Sequence, residues 1–200
     1  DYRQINENKP VASGYVNNNA TYTKAGHPPA DITINGRVVA TPEEWDTMLK
    51  EQRAQHNTSS SSTLPIGRKP VRYDVDCFDV HVINADYRFA APQRMIEQHA
   101  PTDGVRMMMA LTVSGSVYFG ASPRSTDDYV IKQHFNDVFI LVPNWDVLEK
   151  PGARSGRKYL IASHKTGRIE VLPGKLPAKH GFYRDLGMGL IPGAAFHVRD

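Results

Sequence analysis

The stretch QHFNDVFILV, residues 133–142, alternates so regularly that it reads as one β-strand with two distinct faces. Phe135, Asp137, Phe139 and Leu141 share one side, a bulky set suited to a core. His134, Asn136, Val138, Ile140 and Val142 share the other, which is mildly apolar and free of lysine and glutamate. A sheet face meant for water carries more charge than that. The same two-sidedness recurs in Met107–Phe119. There Met107, Met109, Leu111, Val113 and Val117 oppose Met108, Ala110, Thr112, Ser114, Ser116 and Tyr118. In a last strand, Tyr159, Ile161 and Ser163 oppose Leu160, Ala162 and His164. Such a surface is covered either by another protein or by the chain's own C-terminal tail. The tail's wealth of glycine and proline favours the partner.

Outward from this centre the chain reads as α+β. Strands are expected at Val105–Phe119, Val130–Val142 and Lys158–His164, with a short continuation at Arg168–Val171. Upstream, Val71, Tyr73, Val75 and Cys77 alternate with Arg72, Asp74 and Asp76, and Phe78, Val80 and Val82 follow. That predicts a long, half-exposed strand with a bulge near Cys77. Asn35-Gly36, between Asp31-Ile-Thr-Ile and Arg37-Val-Val, marks a hairpin whose turn needs two residues at positive φ. Thr41-Pro-Glu-Glu opens a helix, with Thr41 as cap, Pro42 at the first helical position and Glu44 completing a capping box. Trp45, Met48 and Leu49 give that helix one apolar face, and it is expected to fade near Ala54 ahead of the Ser/Thr tract 57–63. Residues 1–20 read as the tail of one helix and a short second one, with Tyr2, Ile5 and Val11 facing the core. Long loops are expected at 52–70, 84–104 and 142–157. Helices gathered on one face of an antiparallel sheet complete the architecture.

The 200 residues carry a net charge of only +3, but the charge is unevenly spread. Between Lys150 and Arg184 the basic residues include Lys150, Arg154, Arg157, Lys158, Lys165, Arg168, Lys175 and Lys179, against one acid, Glu170. That segment is either a solvated basic face or a footprint for a phosphate-rich partner. With Arg68 and Lys69 it supplies the candidate RNA contacts Lys150, Arg154, Arg157, Lys158, Lys175 and Lys179. Aromatic residues are not interleaved as a base-stacking platform, so such contact is phosphate-driven. The single cysteine, Cys77, forms no internal disulfide and fits a reducing compartment. No apolar run approaches the ~20 residues of a membrane helix.

Chemistry is hard to find. The histidines show no metal-ligand spacing, no phosphate loop or nucleophile elbow is present, and no cofactor is implied. Asp137 with Tyr73 or His81 is the best available acid–base pair. An aspartate on a Phe-flanked strand is more often a hydrogen-bonded core residue, and no catalytic residue is assigned.

Four stretches carry a resemblance: Val38–Leu49, LTVSGSVYFG at 111–120, HFNDVFILV at 134–142 and YLIASH at 159–164. In this order they resemble the nuclear transport factor 2-like family, and within it most the small subunit of the TAP-type mRNA export receptor. The resemblance implies a bent sheet packed on helices in a cone over residues 1–172, with residues 1–8 ending a long first helix. Residues 173–200 are then an irregular tail. It implies no enzyme activity, a heterodimer with the large receptor subunit, passage through nuclear pores lined with Phe-Gly repeats, and a nuclear, shuttling protein. Expanded loops are similar to the fungal version, whose basic insertions are associated with RNA or pre-ribosomal particles. Thr112, Ser114, Ser116, Asn136, Val138, Ile140, Leu160, Ala162 and His164 are then expected on the partner face. Arg168 matches the family's arginine that pairs with an acid of the large subunit. The alternatives are a homodimeric import carrier for GDP-loaded Ran and a cone-pocket dehydratase or isomerase.

Overall fold

The computed structural model describes residues 2–58, 71–119, 131–150 and 156–170. The Ser59–Ser62 tract and the tail 173–200 lie outside the described residues. One six-stranded sheet carries the fold, in the order β2-β1-β6-β5-β4-β3. The strands are β1 (Asp31–Ile34), β2 (Arg37–Val39), β3 (Val71–Asn84), β4 (Met108–Phe119), β5 (Ile131–Pro143) and β6 (Tyr159–Glu170). The helices are α1 (Tyr2–Asn6), α2 (Ala20–Lys24), α3 (Pro42–Thr58), α4 (Gln93–Gln98) and α5 (Trp145–Leu148).

The hairpin forms as expected: Asn35 and Gly36 take φ of 51° and 79°, and Ile34 faces Arg37 across the turn. The sheet is mixed, however, rather than wholly antiparallel, because β1 lies parallel to β6. The early hairpin has been carried across to the last strand, and Asn35 N–H donates to Thr166 O at 2.8 Å.

From β2 the chain passes through α3 to β3 at the opposite edge. Trp45 and Leu49, on the apolar face of α3, are buried. The helix start is tied down twice: Thr41 Oγ1 accepts from Glu44 N at 3.2 Å, and the Glu44 carboxylate accepts from Ala40 N at 2.9 Å. This is a capping box whose return bond reaches one residue further back than the usual form. The helix runs on to Thr58, past the expected end near Ala54.

The first thirty residues are less regular than expected. Pro10 starts no helix; short 3₁₀ turns occupy Ala12–Gly14 and Val16–Asn18, and the second helix comes only at Ala20. Buried Asp46 anchors them, accepting from Val11 N at 2.8 Å and Ala12 N at 3.2 Å. Asn6 clasps the free edge of β3, donating to Tyr73 O at 2.7 Å and accepting from Tyr73 N at 2.8 Å. The 84–104 loop holds α4, and the 142–157 loop holds α5, whose buried Trp145 donates from Nε1 to Phe89 O at 2.9 Å. Among the described residues no helix is long and apolar enough to cross a membrane.

Candidate partner interface and the cavity behind it

Two bulges decide which side chains face which way. In β3, pairing passes from Val75↔Gly115 to Cys77↔Ser114, so Asp76 is the extra residue. The bulge expected near Cys77 is there, and it turns Phe78, Val80 and Val82 onto the same side as Val113, Leu111 and Met109. In β6, pairing passes from Ile140↔Ser163 to Leu141↔Ile161, leaving Ala162 as the extra residue. Beyond that point the alternation inverts. Ser163, Lys165 and Gly167 face outward beside Ile140, Val138 and Asn136, while His164, Thr166 and Arg168 face inward beside Phe139, Asp137 and Phe135.

The side chains expected on one outer face keep that placement on β4 and β5 but not on β6. Thr112, Ser114, Asn136, Val138 and Ile140 share the outer face, with Asn136 and Val138 exposed and the Asn136 Nδ2 donating to Ser114 Oγ at 3.1 Å. Ser116 lies on that side but is 1% exposed, its hydroxyl donating to Asp76 at 3.3 Å. Leu160 is 2% exposed and pairs with fully buried Val142, so it is core rather than surface. Ala162 is half-buried in the bulge. His164 and Arg168, expected to meet a partner, face the interior because a single inserted residue flips every side chain that follows it. Their places on the outer face are taken by Ser163 and Lys165, which simple alternation misses. The one clue in sequence was that a period-two count run straight through 159–168 buries Lys165.

Behind the sheet lies a cavity of about 210 Å³, bounded by α1, α3 and strands β3 to β6. Its lining includes Tyr2, Tyr15, Trp45, Leu111, Asp137, Phe139, His164 and Arg168. Tyr15 reaches His164 Nδ1 with its hydroxyl at 2.8 Å, and Thr166 Oγ1 lies 2.9 Å from Nε2. Phe139 stacks on the imidazole with centroids 4.4 Å apart, and Trp45 meets it edge-on at 5.8 Å. Burial pushes the His164 pKa down to about 3, so the ring is neutral. The Tyr2 hydroxyl donates to Asp137 Oδ2. Burial pushes the Asp137 carboxyl above its ordinary value, against the opposing pull of the Tyr2 and Thr166 hydroxyls and of Arg168. Thr166 Oγ1 thus stands between the His164 ring and this carboxyl, whose Oδ1 has no hydrogen-bond partner. Arg168 donates to the Tyr73 hydroxyl at 2.5 Å and sits 5.7 Å over that ring, with its Nε buried and unpaired.

The acid–base pair weighed from sequence does not assemble. His81 pairs with Ala110 on the outer side, its Nε2 2.9 Å from Asp79 Oδ2, whereas Asp137 faces the cavity. Tyr73 does line the cavity with Asp137, but its hydroxyl is engaged by Arg168 and by Gln52 at 3.2 Å. Of the candidate RNA contacts, Lys150 and Lys158 are exposed. Arg157 is half-buried and donates to Gln4 Oε1 at 2.6 Å, a packing role. Arg68, Lys69, Arg154, Lys175 and Lys179 lie outside the described residues.

No protein-family model matches the chain, and no curated protein matches it. Solved structures do. The chain is 94% identical to a chain of the structure of Mtr2, with 84% of this chain and 92% of that one covered and a TM-score of 0.75. A chain of the structure of Sac3N peptide bound to Mex67:Mtr2 is 93% identical, covering 84% and 92%, with a TM-score of 0.74. A chain of the Chaetomium thermophilum Mex67 NTF2-like domain complexed with Mtr2 is 90% identical, covering 84% and 91%, with a TM-score of 0.73. With such identity over more than nine-tenths of each of those chains, this α+β chain belongs to the Mtr2 family.

Proposed function

We propose that the chain is the non-catalytic small subunit of a heterodimeric mRNA export receptor and binds a Mex67-type large subunit through the outer face of β4, β5 and β6. The observation that carries this reading is the identity of 90% and 93% to chains of two structures whose complexes join Mtr2 to Mex67. The outer face suits the task physically. Val138 and Ile140 offer apolar area, while Thr112, Ser114, Asn136 and Ser163 offer hydrogen bonds without the desolvation cost of buried charge. A separated Asp137 and His81, on opposite sides of the sheet, weigh against the dehydratase or isomerase reading. The nuclear pore as the place of work, contact with Phe-Gly nucleoporins, and phosphate contact through Lys150, Lys158 and the other basic residues belong to the same proposal.

Light scattering on a size-exclusion column tests it, with and without a Mex67 NTF2-like domain. The expected result is a 1:1 complex that Val138→Asp and Ile140→Asp both dissociate. A homodimer indifferent to the Mex67 domain would favour the import-carrier reading instead.

A further inference from the structure

Two residues that line the cavity each carry a buried polar atom without a hydrogen-bond partner. Asp137 is only 4% exposed, and its Oδ1 accepts no hydrogen bond. Arg168 Nε is likewise buried and unpaired. Unpaired buried polar atoms are costly and rare, so each calls for an explanation. Around them the wall is aromatic and aliphatic: Tyr15, Trp45, Phe139 and Leu111 among others.

Size and charge narrow what fits. An apolar cavity of roughly 150 Å³ stays dry and takes up benzene; this one is larger, at about 210 Å³. It therefore accommodates one aromatic ring with a small substituent. An ammonium group would face the Arg168 cation, and a carboxylate would face Asp137. A hydroxyl offends neither, since it is uncharged and can donate to the Asp137 carboxyl. The same wall gives no reason to prefer a long or flexible chain, because its rings present flat surfaces to a flat guest.

We propose that this cavity binds a small aromatic alcohol, its ring packed among Tyr15, Trp45 and Phe139 and its hydroxyl donating to Asp137 Oδ1. This site lies on the side of the sheet away from the proposed partner face, so it is independent of the Mex67 reading.

Calorimetric and NMR titrations of the full chain with 4-methylphenol, and with toluene as the analogue lacking the hydroxyl, test the idea. Saturable binding is expected, about tenfold tighter for 4-methylphenol, since one hydrogen bond separates the two. Shifts should centre on Leu111, Phe139 and His164. Asp137→Leu should make the two ligands equal. Leu111→Trp, which fills the cavity from its wall, should abolish both while leaving the circular dichroism unchanged. Equal affinities in the wild-type chain, no saturation at millimolar ligand, or binding that survives Leu111→Trp would overturn the proposal. Should Asp137→Leu fail to fold, the toluene comparison and Leu111→Trp still decide.

Discussion

Tyr15 and His164, 149 positions apart in sequence, meet in the interior with the phenol oxygen 2.8 Å from Nδ1. Thr166 holds the other ring nitrogen at 2.9 Å, and Trp45 and Phe139 close over the ring. Among the described residues the nearest carboxylate oxygen, on Asp137, is 4.0 Å away. The imidazole is held neutral by burial.

Acid should therefore unfold this protein through His164. Its pKa falls from 6.5 to about 3 on folding, so between those values the unfolded chain binds the extra proton. The stability present above pH 6.5 is lost as pH falls toward 3. Asp137 works the other way, because its raised pKa favours the folded state at low pH and withdraws that support as pH rises. Urea midpoints from pH 7 to pH 4.5 should drop more steeply for the wild type than for His164→Gln. Parallel profiles would mean that the ring is not held neutral.

Gly115 should tolerate no side chain. A Cβ there would lie 2.2 Å from Asp74 O and 2.7 Å from the Phe135 ring. The backbone oxygen cannot move aside without breaking the β3–β4 ladder at its bulge. Gly115→Val should lower the melting temperature by on the order of 10 °C, as overpacked cores do, and scanning calorimetry reads it directly.

Lys165 and Arg168 should separate in their effects although three positions apart. Arg168→Asp places a carboxylate near Asp137 and removes the bond to Tyr73, so it should cost the isolated chain about 2 kcal/mol or more. Lys165→Asp touches only an exposed pair with Asp31 and should change stability by less than ~0.5 kcal/mol. It should instead weaken the Mex67 complex. Thermal melts beside pull-downs distinguish the two.

Thr41→Ala removes the cap of α3 and should cost about 1 kcal/mol. Glu44→Ala should cost a similar amount, through the lost bond to Ala40 N and the ion pair with Arg37 at 2.9 Å. Chemical denaturation of the two variants measures both.

Local signals were readable wherever the chemistry is local. Asn35-Gly36 announces its turn, Thr41 and Glu44 their cap, and the alternation of 133–142 its two faces, because each depends on residues a few positions apart. The fate of His164 was signalled only indirectly, by the lysine at 165 that unbroken alternation would bury. It hangs on Ala162 being squeezed out of the β5–β6 ladder, and nothing in Ile161-Ala-Ser distinguishes a bulge from a straight strand. The parallel β1–β6 pairing was missed for a related reason: periodicity reports which faces are covered, not which strand lies alongside. The cavity was half visible, since Phe135, Asp137 and Phe139 pointed to an interior with one buried acid, while the aromatic wall from α1 and α3 is assembled only by tertiary packing.

The alignment of β1 with β6 also sets an order of events during synthesis. The hairpin leaves the ribosome early, yet one of its edges has no neighbour until Tyr159–Glu170 has been made. Until then it carries unpaired backbone groups and an apolar side, Ile32 and Ile34, that in the finished fold are almost wholly buried. Contacts so distant in sequence form slowly, and the waiting strand is open to the wrong neighbours. A nascent chain stalled before Tyr159 should therefore stay dependent on chaperones, and one extended past Glu170 should be released from them.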